Sequence, residues 1–226
     1  MSDKTLLFLC SGGGGNLRFV HQAILRGWLP AWQKIAVITD RECPASEYAR
    51  QHDLQVFCID FKEDRQASLL RTALTINPEV IVTTVHKVLN EQFVAAFENK
   101  MLNTHYSLLP AFAGKIGTAP VKAAMDYGVC LGGVTVHKVT AEVDAGRPVV
   151  QVAFPMTPDD ELERLMNIEF RAGCIALLNA LRILANQLTP DWSGQALCIE
   201  GRTVLVSPGL PLPEELAFED FWSALK

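Results

Sequence analysis

Along the first two-thirds of the chain, short β-branched runs alternate with stretches that repeat apolar positions every three to four residues. Residues 5–10, 34–39, 55–59, 79–84 and 100–104 read as strands, and residues 17–28, 45–52, 65–76 and 91–98 as the helices between them. Strand and helix in strict alternation predict βαβ units, and therefore a parallel sheet covered on both faces. Pro30, Pro44, Pro78 and Pro110 fall between elements, where a missing N–H does least harm.

After Pro120 the rhythm changes. Residues 121–127 read as a helix, and residues 132–139 and 148–154 as neighbouring strands separated by a turn over 141–147. Residues 159–187 then read as one long amphipathic helix with Leu162, Leu165, Ile168 and Ala172 on one side. Its start, Thr157-Pro158-Asp159-Asp160, offers a cap residue, a first-turn proline and acids. In the tail, residues 195–199 and 203–206 are strand candidates that Glu200-Gly201 joins as a hairpin, and a final helix covers residues 213–225. No internal repeat, linker or low-complexity tract interrupts this order.

Composition narrows the class. A chain of 226 residues with 49% hydrophobic and 20% charged positions folds as one large domain or a domain with an appendage, without needing disulfides or metal. The net charge of −5 and pI near 5.5 argue against a nucleic-acid binder. No apolar stretch approaches the roughly 20 residues of a membrane span, and the opening Met-Ser-Asp-Lys is followed by too short an apolar run for a signal peptide. Cys10, Cys43, Cys58, Cys130, Cys174 and Cys198 are scattered, with no C-x-x-C pair, so the expectation is buried thiols in a reducing cytoplasm and no metal site.

Two clusters carry chemistry. Ser11-Gly12-Gly13-Gly14-Gly15-Asn16-Leu17 sits where the first strand hands over to a helix, so converging backbone N–H groups and the helix N-terminus favour an anion. The run matches neither a dinucleotide fingerprint nor a P-loop. A tight ligand-free turn is the alternative. The second cluster is Asn103-Thr104-His105-Tyr106-Ser107, at the carboxyl end of a central strand, where ligands bind in open α/β folds. A spacing of two puts Asn103 and His105 on one face. The amide can donate to a developing oxyanion, the imidazole can exchange a proton, and Asp144 in the later turn can orient it. A hydrogen-bonded structural histidine is the alternative. His137 reads as a strand histidine, and Trp28, Trp32, Trp192 and Trp222 as packing anchors.

Asn103-x-His105-x-Ser107-Leu108-Leu109-Pro110, followed by Val143-Asp144-Ala145-Gly146, resembles the signature of folate-dependent formyltransferases, and within them the glycinamide ribonucleotide transformylases match best. The similarity runs from the glycine loop to the helix around Glu169. It implies an α/β, Rossmann-like formyltransferase fold with a mostly parallel central sheet, helices on both faces, and a short C-terminal hairpin and helix. Residues 1–190 would form the formyltransferase domain and 191–226 an extension packed on it. The implied reaction moves a formyl group from 10-formyltetrahydrofolate to a primary amine, with Asn103, His105 and Asp144 catalytic and no metal. Gly14, Gly15, Asn16, Arg65 and Glu169 match positions that hold the phosphate and ribose of the acceptor. Lys87, Val88, Leu89, Thr140 and Val143 fall on the folate side.

The chain departs from that pattern at several points. Gly15 stands where the family has serine, Tyr106 where it has proline, and Thr84-Val85-His86-Lys87-Val88-Leu89 replaces the usual pterin-side segment. The stretch Gly114–Pro120 lacks a histidine typical of the ribonucleotide enzymes. An amino sugar or another small amine is therefore an alternative acceptor. Formyltetrahydrofolate deformylase and a non-catalytic relative follow, the deformylase lowered because the first predicted strand already starts at Thr5. The expected partner is a small-molecule amine, with no nucleic acid or membrane, on a monomer or homodimer.

Overall fold

The computed structural model describes residues 4–225; Met1, Ser2 and Asp3, where the leader reading begins, lie outside them. The chain forms two compact units, one of residues 4–103 with Lys138–Val143, the other of Thr104–His137 with residues 144–225.

The first unit alternates strand and helix: β1 (Lys4–Cys10), α1 (Gly15–Leu25), β2 (Trp32–Thr39), α2 (Pro44–Gln51), β3 (Gln55–Cys58), α3 (Ala67–Ile76), β4 (Val80–Thr84), α4 (Glu91–Ala96) and the start of β5 (Met101–His105). Its strands run in the order β3-β2-β1-β4-β5, and every pair is parallel. Leu6, Leu7, Phe8 and Leu9 are fully buried, so both faces of β1 are covered, as an unbroken apolar run requires. Leu7, Leu9, Ile38, Ile81 and Phe93 meet in one core cluster. Each such side chain contributes roughly 1.5–3 kcal/mol by leaving water. The strand order reverses between β1 and β4, so the loops leaving their carboxyl ends open a crevice. The two loops touch there: the His86 N–H donates to Ser11 Oγ at 3.2 Å.

The second unit holds α5 (Ala119–Tyr127), β6 (Leu131–Lys138), β7 (Pro148–Pro155), α6 (Leu162–Leu184), β8 (Gln195–Ile199), β9 (Arg202–Ser207) and α7 (Glu219–Ser223). The strands β6-β7-β9-β8 pair antiparallel. Val150, Val152 and Phe154 alternate inward along β7. From Arg171 to Arg182, α6 is buried on every side. The hairpin turns at Glu200 and Gly201, both with positive φ, which suits a two-residue connection.

Five readings need correction. The long helix starts at Leu162 with no side-chain cap, not at residue 159. Asp160 is engaged elsewhere: it accepts from the Thr157 N–H at 2.8 Å and pairs with Arg202. The last helix is broken by extended Phe218 into a 3-10 turn (Glu214–Ala217) and α7. Arg65 is not helical; Asp64, Arg65 and Gln66 are all left-handed, and α3 begins after them. Cys10, Cys43 and Cys174 are buried, whereas Cys58, Cys130 and Cys198 are exposed, two of them on the edge strands β3 and β8; Trp192 is exposed as well.

Candidate active site

In the first unit, β1 ends at Cys10 and α1 opens after the glycine run. Gly14 is the N-cap at φ 70°, and no side chain caps the first turn of α1. A Cβ on Gly14 would lie 2.8 Å from Ala45 Cβ, so sterics as well as φ demand glycine. The Ala45 N–H donates to Gly12 O at 3.1 Å, which ties the loop to the start of α2. Gly15 begins α1, and Asn16 is buried beside it.

Arg65 is exposed at the centre of its left-handed run. The neighbouring residues brace it. Gln66 donates through Nε2 to Val88 O at 2.9 Å and accepts the Asn90 N–H at 2.9 Å. Asn90 Nδ2 donates to Arg65 O at 2.6 Å, and Asn90 Oδ1 caps α4 through the Phe93 N–H. The arginine thus shares a polar clamp with the Lys87-Val88-Leu89 segment. Val88 and Val143 present large apolar side chains to solvent, and Thr140 is exposed with its hydroxyl on Glu142 O. Leu89 and Val139 pack on the same core cluster, which anchors both segments. Sequence reasoning missed Gln66 and Asn90; the asparagine just before acidic Glu91 was a legible cap signal.

The second unit holds the imidazole. His105 ends β5, two residues after Asn103 and on the same strand face, with its side chain 5% exposed. Its Nδ1 lies 3.4 Å from Asp144 Oδ2, and its Nε2 lies 3.3 Å from Phe112 O. Asp144 sits at φ 56°, a conformation aspartate tolerates better than most residues. The Gly114 N–H donates to its Oδ2 at 2.8 Å, and His137 Nε2 stands 3.6 Å from its Oδ1. A register shift in β6 between Val136 and His137 re-aims that histidine. His137, Gly114 and the Phe112 carbonyl were not assigned roles from the sequence; two act through backbone atoms, which residue identity does not reveal.

Burial pushes the His105 pKa below the usual imidazole value, while Asp144 and the Phe112 carbonyl pull it up without prevailing. The resting ring is therefore neutral at pH 7. Both of its neighbours are hydrogen-bond acceptors, and a neutral ring has one proton to offer them. Only the imidazolium satisfies both, so the cage is organised for the state that forms when His105 takes a proton. Among the described residues no cluster could hold a metal ion, and no helix is long and apolar enough to cross a membrane.

Glu169 is 2% exposed on α6. Burial raises its carboxyl well above the ordinary range, against the single opposing hydrogen bond from the Gly133 N–H.

A family model for formyl transferase matches residues 4–197. The chain belongs to the formyl transferase family. It is 36% identical over 166 residues to a phosphoribosylglycinamide formyltransferase of Mycobacterium tuberculosis (strain CDC 1551 / Oshkosh), covering 71% of this chain and 75% of that one. The crystal structure of glycinamide ribonucleotide transformylase 1 from Symbiobacterium toebii superposes with a TM-score of 0.75 at 26% identity, over 90% of this chain and 94% of that one. A formyltetrahydrofolate deformylase of Bacillus subtilis (strain 168) is 29% identical over 140 residues, or 60% of this chain and 46% of that one. The α/β formyltransferase fold and formyl transfer as the activity follow from this membership.

Proposed function

We propose that the chain transfers the formyl group of 10-formyltetrahydrofolate to the primary amine of glycinamide ribonucleotide, a step of purine biosynthesis. The observation that carries this reading is the buried His105–Asp144 pair at 3.4 Å, caged by acceptors that favour a protonated ring. The folate supplies the activated formyl carbon. Asn103 donates to the formyl oxygen as it gains negative charge, a contact worth about 3–4 kcal/mol in comparable sites. His105 takes the proton released by the attacking amine and gives it to the folate N10 as the formyl C–N10 bond breaks, so that tetrahydrofolate leaves, a relay worth roughly 10²–10⁴ in rate. Asp144 and the Phe112 carbonyl hold the resulting imidazolium.

The folate side fits a flat ring that is partly apolar: Val88 and Val143 are exposed on the first unit, with Lys87, Leu89 and Thr140 beside them in sequence. The acceptor phosphate is assigned to the Gly14, Gly15 and Asn16 turn with Arg65 as counter-charge, since first-turn N–H groups and a guanidinium suit that anion. Glu169 is assigned to the ribose.

A second reading, a smaller amine as acceptor, is favoured by one observation: Glu169 is 2% exposed and meets no solvent-borne sugar as it stands. The deciding experiment incubates the protein with 10-formyltetrahydrofolate and glycinamide ribonucleotide, an amine panel, or no acceptor, and follows formylated product by mass spectrometry. Formylated ribonucleotide that needs both reactants is expected. Formylation of another amine alone would sink the acceptor assignment, and folate release without acceptor would make the protein a hydrolase.

A further inference from the structure

The first unit holds a cavity that the formyl-transfer chemistry does not use. Through Leu69 and Ala73, α3 packs on the sheet face that carries Leu7, Leu9, Ala36 and Ile38. β3 is the edge strand of that sheet, and beside α3 the face of β2 and β3 stays open as a cavity of about 450 Å³. That volume is in the range of small-molecule sites. Buried Ala36 with half-buried Phe57 and Ile76 gives it an apolar floor. Its charged lining side chains are Lys34 and Arg71, both cations and both exposed. Arg71 Nη2 donates to Ser68 Oγ at 2.8 Å and lies 3.6 Å from Asp64 Oδ2, whereas its other N–H groups bond no described residue. The hydroxyls of Thr5 and Thr72, which also line the cavity, bond none either. Two acids border these residues and both are engaged: Glu79 accepts the Thr5 N–H at 2.6 Å, and Asp64 accepts the Ser68 N–H at 3.0 Å.

We propose that this cavity is a second ligand site, for a small organic anion: an apolar body lies on Phe57 and Ile76, and Lys34, Arg71 and the two threonine hydroxyls hold its phosphate or carboxylate. A bare anion gains only the charge contacts, and a neutral body only the apolar floor, so the site selects a molecule with both. It is separate from the glycine loop. Thr5 stands five residues before Cys10, where β1 ends, which puts the cavity roughly 16 Å from the loop along the strand. One small ligand cannot touch both, and both can be filled together.

The test titrates the protein with phenyl phosphate, benzoate, inorganic phosphate and benzyl alcohol, and follows backbone amide signals by NMR. Phenyl phosphate or benzoate is expected to shift the signals of Thr5, Gln55, Thr72 and Ile76. Binding of the first alone assigns the site to phosphate esters, and of the second alone to carboxylates. Inorganic phosphate and benzyl alcohol should each bind those residues at least about tenfold more weakly. Kd for the better organic anion should rise about tenfold in the double variant Lys34→Gln/Arg71→Gln, the scale of a hydrogen bond to a charged group. Thr75→Trp gives up only a bond to Arg71 O within its own helix, so it should keep the melting temperature while filling the cavity and removing the shifts. Shifts confined to Gly13–Asn16, no shifts at all, or a Kd unmoved by the double variant overturns the proposal. Inorganic phosphate binding as tightly as phenyl phosphate also overturns it, because surface charge alone would then account for the contact. Catalysis does not enter the readout, so failure here leaves the formyl-transfer reading as it stands.

Discussion

Replacing Glu169 by glutamine should make the protein more stable at neutral pH, by an amount that grows as pH rises. In the folded chain the carboxyl is 2% exposed and burial holds its pKa well above the ordinary value, so it keeps its proton. In the unfolded chain it ionises near the model value of 4.5. Between those two values the native state binds one proton that the unfolded state does not, so stability falls as pH rises. The slope from one such group approaches about 1.4 kcal/mol per pH unit. Glutamine is the same size, can keep the Gly133 N–H bond through its carbonyl oxygen, and does not titrate. The assay is urea unfolding of both proteins at pH 5, 6 and 7, read as a difference so that every other titrating group cancels. The advantage of Glu169→Gln should widen as pH rises, until the native carboxyl itself ionises. Parallel stability curves would show that the native carboxyl is ionised and would refute the reasoning.

Formyl transfer should fall by roughly 10²–10⁴ in His105→Ala and in Asp144→Asn, with melting temperature as the folding control; full activity in both would remove the pair from the mechanism. Gly14→Ala forces a Cβ to 2.8 Å from Ala45 Cβ and strains φ 70°, so the variant should lose acceptor affinity and at least about 1 kcal/mol of stability by urea unfolding. Asn179 lies fully buried in α6 with neither Oδ1 nor Nδ2 bonded among the described residues. Asn179→Leu should therefore stabilise the chain by roughly 1–3 kcal/mol, and a loss of stability would reveal a partner for the amide.

Much of the fold was legible because the apolar runs are unbroken. Leu6–Cys10 has a single reading as a strand covered on both faces, and the turn after it is marked by four glycines. The hairpin was visible from Glu200-Gly201, the one place in the tail where two residues accept positive φ. What stayed hidden depends on contacts distant in sequence. Thr157-Pro158-Asp159-Asp160 has the chemistry of a helix start, yet Arg202 recruits Asp160 and the helix begins later. The spacing of Asn103 and His105 was readable because strand alternation acts locally. The Gln66–Asn90 clamp and the Phe112 carbonyl were not, since one rests on three consecutive left-handed residues and the other on a backbone atom. The burial of Glu169 was hidden as well, since its backbone bond comes from Gly133, which lies far from it in the chain.

Arg171 gives the C-terminal segment an evolutionary direction. This guanidinium is nearly sealed inside α6, where it grips Glu219 through two bonds of 2.7 Å and reaches Glu200 at 3.2 Å. A lineage that lost the hairpin and last helix while keeping the arginine would leave a buried cation without its counter-charges, at a cost of about 3–5 kcal/mol. A lineage that replaced the arginine first would leave the half-buried Glu200 and the exposed Glu219 without their cation, a smaller loss. Neither single change is neutral, so the tail works as a ratchet. Once the pairing existed, shedding the segment required coordinated substitutions on elements about 30 and 50 residues apart in the chain.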